Sequence, residues 1–183
     1  MKGIMFNVFN TLVEEKFGLD VWDDLLDRVN PESGGAYTSA DTYADAEMVS
    51  LVVTLSEMTG IEVNDLLRAY GEYALEPLTK VYPDSVKPGT TLKEFLKGVH
   101  GIIHVEVKKL YSDATLPVFE YEEPTPNQLV MIYRSKRKMP TVAEGLIDGA
   151  AKLFAEKIDR KTIEVGQGED MHYRFEITFL GAV

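Results

Sequence analysis

From the amino terminus, apolar positions fall first in a helical rhythm and later in an alternating one. Ile4, Val8 and Leu12, then Val21, Leu25, Leu26 and Val29, recur every three to four residues. They predict helices over 7–17 and 21–29, with Gly18 as the break. Residues 31–35, Pro-Glu-Ser-Gly-Gly, read as a loop. A third helix is predicted over 44–58, closed by Thr59 and Gly60, and a fourth over 64–80. Leu66, Leu67, Tyr70, Tyr73 and Ala74 form the inner face of the fourth, which Pro77 should bend or end early. Beyond Pro88-Gly89, Thr91-x-x-Glu94 reads as a capping box opening a long helix to Tyr111. Its stripe is Leu92, Phe95, Leu96, Val99, Ile103, Val107 and Leu110.

After Pro117 the period changes. Residues 118–121 and 129–133 predict strands around a Pro124-Thr125-Pro126 turn. Thr141-x-x-Glu144 reads as a second capping box, followed by a helix over 142–157 rich in small residues and a short strand over 162–165. Tyr173, Phe175, Ile177 and Phe179 alternate with Arg174, Glu176 and Thr178, the mark of a half-buried strand. The expected class is α+β: an N-terminal helical subdomain over 1–62, packed on a second subdomain over 63–183 with helices and an antiparallel sheet.

Composition narrows the function. A formal charge of −11 repels nucleic acid and anionic membrane at long range, and the compact basic run is confined to 134–138. No apolar run reaches membrane-span length, so neither nucleic-acid binding nor membrane insertion is expected. The first residues lack a small-residue cleavage site and soon turn acidic, unlike a signal peptide. The absence of cysteine excludes disulfides, thiolate zinc sites and cysteine nucleophiles, and fits a cytoplasmic protein. No nucleophile–base pair, phosphate-binding glycine loop or paired carboxylate motif stands out, so the chain does not read as an enzyme.

Three histidines exist: His100, His104 and His172. His100 and His104 are four apart on one side of the long predicted helix. Such a pair can bind a metal, but the metalloprotease pattern needs a glutamate where Gly101 stands. The plainer reading is two histidines flanking an amphipathic helix. Apolar spacing puts His100 slightly nearer the stripe than His104 and does not choose between them. On an extended segment Tyr133, Ser135 and Arg137 would form one row of phenol, hydroxyl and guanidinium, suited to carboxylates or phosphates, with Lys136 and Lys138 pointing away. A solvated basic strand end is the competing reading.

Taken together, these features resemble the H-NOX (heme nitric oxide/oxygen binding) family, the domain shared by bacterial gas sensors and soluble guanylate cyclase. The opening MKGIMFNV is similar to the family's N-terminus. The segment from Ile103 and His104 to Tyr111 resembles the helix bearing the proximal histidine, and Ala114-Thr-Leu-Pro117 the turn whose proline presses on the heme. Tyr133-x-Ser135-x-Arg137 matches the motif that holds the heme propionates, and residues 143–150 resemble the helix that follows.

The resemblance implies a heme b cofactor, iron ligation by His104 in preference to His100, and an open opposite axial site. It places Met5, Phe9, Ala74, Leu78, Val142 and Leu146 near that open face. Val142 occupies the position where oxygen-binding members carry a tyrosine. None of the six donates a side-chain hydrogen bond, so the expectation is a pocket for NO and CO that excludes O2, unless Tyr70 or Tyr73 turns inward. Many relatives carry a Cys3His zinc site near the C-terminus. This chain has no cysteine to build one, so His172 is expected to be a surface strand residue. With no catalytic domain seen in the chain, the implied readout is signal transduction to a histidine kinase, as in two-component signalling, or to a cyclic-di-GMP enzyme. The alternatives are a heme or tetrapyrrole carrier without signalling, and a metal-dependent enzyme using His100 and His104.

Overall fold

The computed structural model describes residues 1–182; Val183, the last residue of the expected second subdomain, lies outside them. Four helices come first: α1 (Gly3–Phe17), α2 (Leu19–Val29), α3 (Asp45–Thr59) and α4 (Val63–Val81). The Gly18 break and the left-handed Gly60 cap fall where the sequence put them. α4 does not end early at Pro77 but runs on to Val81. The ring removes only the bond to the Tyr73 carbonyl, on a half-buried residue near the helix end, where water can replace it. Next come α5 (Leu92–Gly98), a π turn (Val99–Ile103) and α6 (His104–Leu110). Strands β1 (Val118–Glu122) and β2 (Gln128–Arg134) precede α7 (Pro140–Leu153), and β3 (Glu156–Val165) and β4 (His172–Ala182) complete the chain. The sheet is antiparallel in the order β1-β2-β4-β3.

Three expectations in the second half are corrected. α7 ends at Leu153 rather than continuing to residue 157, because Ala155 takes a positive φ of 51° that helix cannot continue. The short strand expected over 162–165 is ten residues long. Its inward row includes Arg160, a charged side chain only 9% exposed, and this hides the apolar alternation. The second capping box does not form. Pro140, with its φ preset for the first helical position, starts α7 two residues before the expected position and carries Thr141 into the first turn. Glu144 is instead buried and salt-bridged to Arg68 of α4 (2.8 Å) and Arg160 of β3 (3.1 Å), and Arg160 also grips Asp148 (2.9 Å).

Two apolar cores result. Phe6, Phe9, Trp22, Leu25, Leu51 and Tyr70 belong to the helical one; Leu92, Phe95, Met131, Ile147 and Phe175 to the one between sheet and helices. α4 and α7 join them and cross with their backbones in contact. A Cβ at Gly71 would overlap the Val142 carbonyl oxygen, and one at Gly145 the Arg68 carbonyl oxygen. One at Gly149 would sit 2.7 Å from the Glu72 carbonyl oxygen. At the other end of the helical unit, the loop around residue 40 folds over the start of α1. Gly3 N and Ile4 N donate to the Asp41 and Ser39 carbonyls at 2.9 and 3.2 Å, and Lys2 pairs with Thr42.

Gly71→Ala is expected to lower unfolding stability by about 1–3 kcal/mol in denaturant titration, because only backbone can give way. Glu144→Ala is expected to cost about 2–4 kcal/mol in the same measurement, by leaving Arg160 under-compensated in a buried site.

Candidate cofactor site

A cleft of about 300 Å³ lies between the two cores, within the size range of small-molecule and cofactor pockets. α1, α4, α7 and the segment from α5 to β1 supply most of its walls, and these are mainly apolar.

The geometry of that last segment is set at its two ends. Thr91 Oγ1 accepts from Glu94 N at 3.2 Å and Thr91 N donates to Glu94 Oε2 at 2.9 Å, so the first capping box forms as expected and fixes the start of α5. Seven residues later the π turn inserts extra chain immediately before His104. The predicted stripe nevertheless carries through: Phe95, Leu96 and Val99 line the cleft, and so do Ile103 and Val107. Apolar spacing put His100 slightly nearer this stripe than His104 and did not choose between them. In the structure His104 lines the cleft and His100 does not; His100 borders a shallow outer groove, its ring 6.1 Å from that of His104.

His104 is mostly enclosed, and its Nδ1 is buried without a hydrogen-bond partner. Burial pushes its pKa down to about 4; the neighbouring His100 adds to the effect and the Pro117 backbone opposes it. The ring is therefore neutral at pH 7, the form in which imidazole is a metal ligand. Among the described residues no group of three or more His, Asp or Glu could hold a metal ion.

Tyr133, Ser135 and Arg137 all line the cleft, although not as a row on one strand. β2 stops at Arg134 and the chain turns, with Ser135 Oγ accepting from Arg137 N at 3.2 Å and Lys138 at a φ of 49°. The turn, rather than strand alternation, brings the three together. Lys136 and Lys138 are exposed. Burial raises the Tyr133 pKa, and hydrogen bonds with Ser135 and the Met139 backbone, with Arg137 nearby, restrain the rise. The Arg137 guanidinium donates through Nε to Asp45 Oδ1 at 2.8 Å and through another N–H to the Thr115 carbonyl. Burial alone would raise the Asp45 pKa, but the N-terminal ammonium, 2.8 Å away, and Arg137 outweigh it and hold the carboxyl below its usual range.

Met5, Leu78, Val142, Leu146 and Pro117 line the cleft as expected from sequence. Phe9 and Ala74 do not: they sit in the helical core, 1% and 0% exposed. Their expected place on the wall is taken by Tyr70, whose ring meets Phe9 edge-on at 5.4 Å between centroids. Tyr70 is fully buried and its hydroxyl donates to the Met5 carbonyl at 2.9 Å. Tyr73 lies outside the cleft, beside the Glu15 carboxylate. His172 opens β4, half-buried, with Nδ1 2.9 Å from the Asp170 carbonyl oxygen. Sequence reasoning missed Lys2, Thr42, Tyr111 and Asp113 at the rim. They are far apart in the chain and form no motif.

These residues fit a heme. The cleft offers a neutral nitrogen ligand on an apolar wall and hydroxyl and guanidinium donors for acid tails at its edge.

Comparison with known proteins agrees. The family model described as Haem-NO-binding, HNOB, matches residues 2–162. Soluble guanylate cyclase gcy-35 of Caenorhabditis elegans is 23% identical over 156 residues, which is 83% of this chain and 23% of that protein. The chain thus spans about a quarter of the length of this curated relative. The Fe(II) unliganded H-NOX protein of K. algicida is 36% identical with a TM-score of 0.90, over 100% of this chain and 98% of that one. The H-NOX protein of S. oneidensis in its Fe(II)NO state is 31% identical with a TM-score of 0.90, over 99% and 100%. A mutant form of T. tengcongensis H-NOX is 27% identical with a TM-score of 0.89, over the whole of both chains. The helices and the antiparallel sheet match those of solved H-NOX structures, and the chain belongs to the haem-NO-binding (H-NOX) family.

Proposed function

We propose that this chain is a sensor of NO, and of CO, that excludes O2, with His104 as the axial ligand of a heme b held in the cleft. The observation that carries the reading is a neutral imidazole on the wall of an apolar cleft whose rim presents Tyr133, Ser135 and Arg137. Heme bound there would be held by the His104 imidazole and would supply an iron able to bind a diatomic gas.

The chain's own residues account for the rest. Low basicity keeps the His104 lone pair free at neutral pH. Arg137 supplies positive charge in a protein that is otherwise strongly acidic, which favours an anionic tail at the rim. Met5, Leu78, Val142 and Leu146 carry no side-chain donor. The hydroxyl of Tyr70 is already committed to the Met5 carbonyl. Such a wall favours a gas that needs no hydrogen bond over O2, which does.

We propose further that sensing moves α6 and the loop through Pro117 against the helical unit, with 1–62 and 63–183 as the two bodies. The output passes to a separate partner, a histidine kinase or a cyclic-di-GMP enzyme, and the chain itself performs no catalysis. We place it in the cytoplasm; no helix among the described residues is long and apolar enough to cross a membrane.

The decisive measurement is the absorption spectrum of the purified ferrous protein under nitrogen, air and NO. The expected result is a heme spectrum that is the same under nitrogen and air and changes with NO. A spectrum without heme, or one that changes in air as a stable O2 complex forms, contradicts the reading. His104→Ala is expected to lose most of its heme and to regain it with added imidazole, read by heme-to-protein absorbance ratio. Val142→Tyr is expected to raise O2 affinity by about tenfold or more, the worth of one well-placed hydrogen bond, in ferrous oxygen titration. Tyr70→Phe is expected to leave O2 exclusion unchanged in that titration, since its hydroxyl is already engaged.

A further inference from the structure

The loop that follows the His104 helix is tied to the N-terminal segment at the rim of the cleft. Lys2 is the centre of the tie. Its side chain is 10% exposed, unusually low for a lysine, and lines the cleft. Its ammonium donates to the Ala40 carbonyl at 2.8 Å and contacts both Asp113 carboxylate oxygens at 2.7 and 2.8 Å. It also lies over the Tyr111 ring, 5.3 Å from the centroid. Thr42, paired with Lys2 through the backbone, donates its hydroxyl to Asp113 Oδ2 at 2.8 Å. Asp113 therefore receives two donors from two separate segments of the helical unit, the N-terminus and the loop around residue 42. Lys2 and Thr42 together draw its carboxyl pKa down to about 2.

Asp113 stands directly before Ala114, which is 3% exposed, and the run from Ala114 to Pro117 forms the cleft wall beside His104. A tie at Asp113 thus restrains both the C-terminal end of the His104 helix and the approach of Pro117.

We propose that Asp113 is a positioning residue for the heme site: through Lys2 and Thr42 it fixes the loop that sets His104 and Pro117 against the cleft, and it slows escape of the cofactor. The inference rests on the heme reading above. The Lys2–Asp113 pair adds a second crossing of the rim, separate from that of Arg137 to Asp45.

The test uses the heme-loaded protein and follows heme transfer to excess apomyoglobin. Asp113→Asn and Lys2→Met are each expected to speed heme loss by about threefold to tenfold, the range for a partly exposed, charge-assisted tie. Combined, they are expected to do little more than either alone, because they break the same tie. The exchange of Lys2→Asp with Asp113→Lys is expected to recover much of the loss. The iron–histidine stretching band of the ferrous form should shift in Asp113→Asn, a change that loosening of a remote surface loop would not produce. Wild-type heme loss in both single variants, or additive effects without recovery in the exchanged pair, overturns the assignment. An unshifted band also counts against it. A wild-type protein that takes up no heme at all would defeat the heme reading itself, a separate result.

Discussion

Helices α4 and α7 meet backbone to backbone at Gly71, Gly145 and Gly149, and the cleft is what this contact leaves beside it. Because no side chain separates the two helices there, the neighbouring positions project together into one space. Tyr70, Leu75 and Leu78 arrive from α4, and Val142, Ala143 and Leu146 from α7. The same contact fastens the helical core to the sheet core, so the cavity lies between two units that are well packed on their own. A larger residue at the crossing would separate the helices and change the cleft width before it changed any ligand contact.

The polar groups around that space fall into two kinds. One is spent internally: the Tyr70 hydroxyl on the Met5 carbonyl, and the buried carboxylate of Glu144 on two arginines. The other sits at the rim, half-buried in Ser135 and Arg137 and exposed in Asp113. The division suits a cofactor with an apolar ring and charged tails. On the proposed reading, the positive charge that would meet an anionic tail is local: Arg137 is placed by a turn rather than by net composition.

Most of the helices were legible in the apolar period, and β1, β2 and β4 in the change to alternation after Pro117. What escaped had specific causes. The π turn is silent in the sequence, because Val99, Ile103 and Val107 keep the four-residue spacing of an ordinary helix; only the structure shows the wider turn just before His104. β3 was shortened because Arg160 stands where an apolar residue would have marked the inner face. Thr141 and Glu144 have the spacing of a capping box, yet Pro140 starts the helix two residues sooner. In the site, the family resemblance singled out His104 and the Tyr133, Ser135 and Arg137 set. It also named Phe9 and Ala74, which the packing places behind the wall, while Tyr70 comes forward. Side-chain reach is a tertiary property, and helical spacing does not report it.

The four-membered set of Arg68, Glu144, Asp148 and Arg160 balances two positive and two negative charges across three elements. Its balance has a consequence for how the sequence can drift. A lone replacement strands a charge away from solvent, whereas a coordinated replacement by well-fitting apolar side chains loses little. Substitutions at these positions are therefore expected to appear in concert among related chains, independently of which ligand the cleft admits.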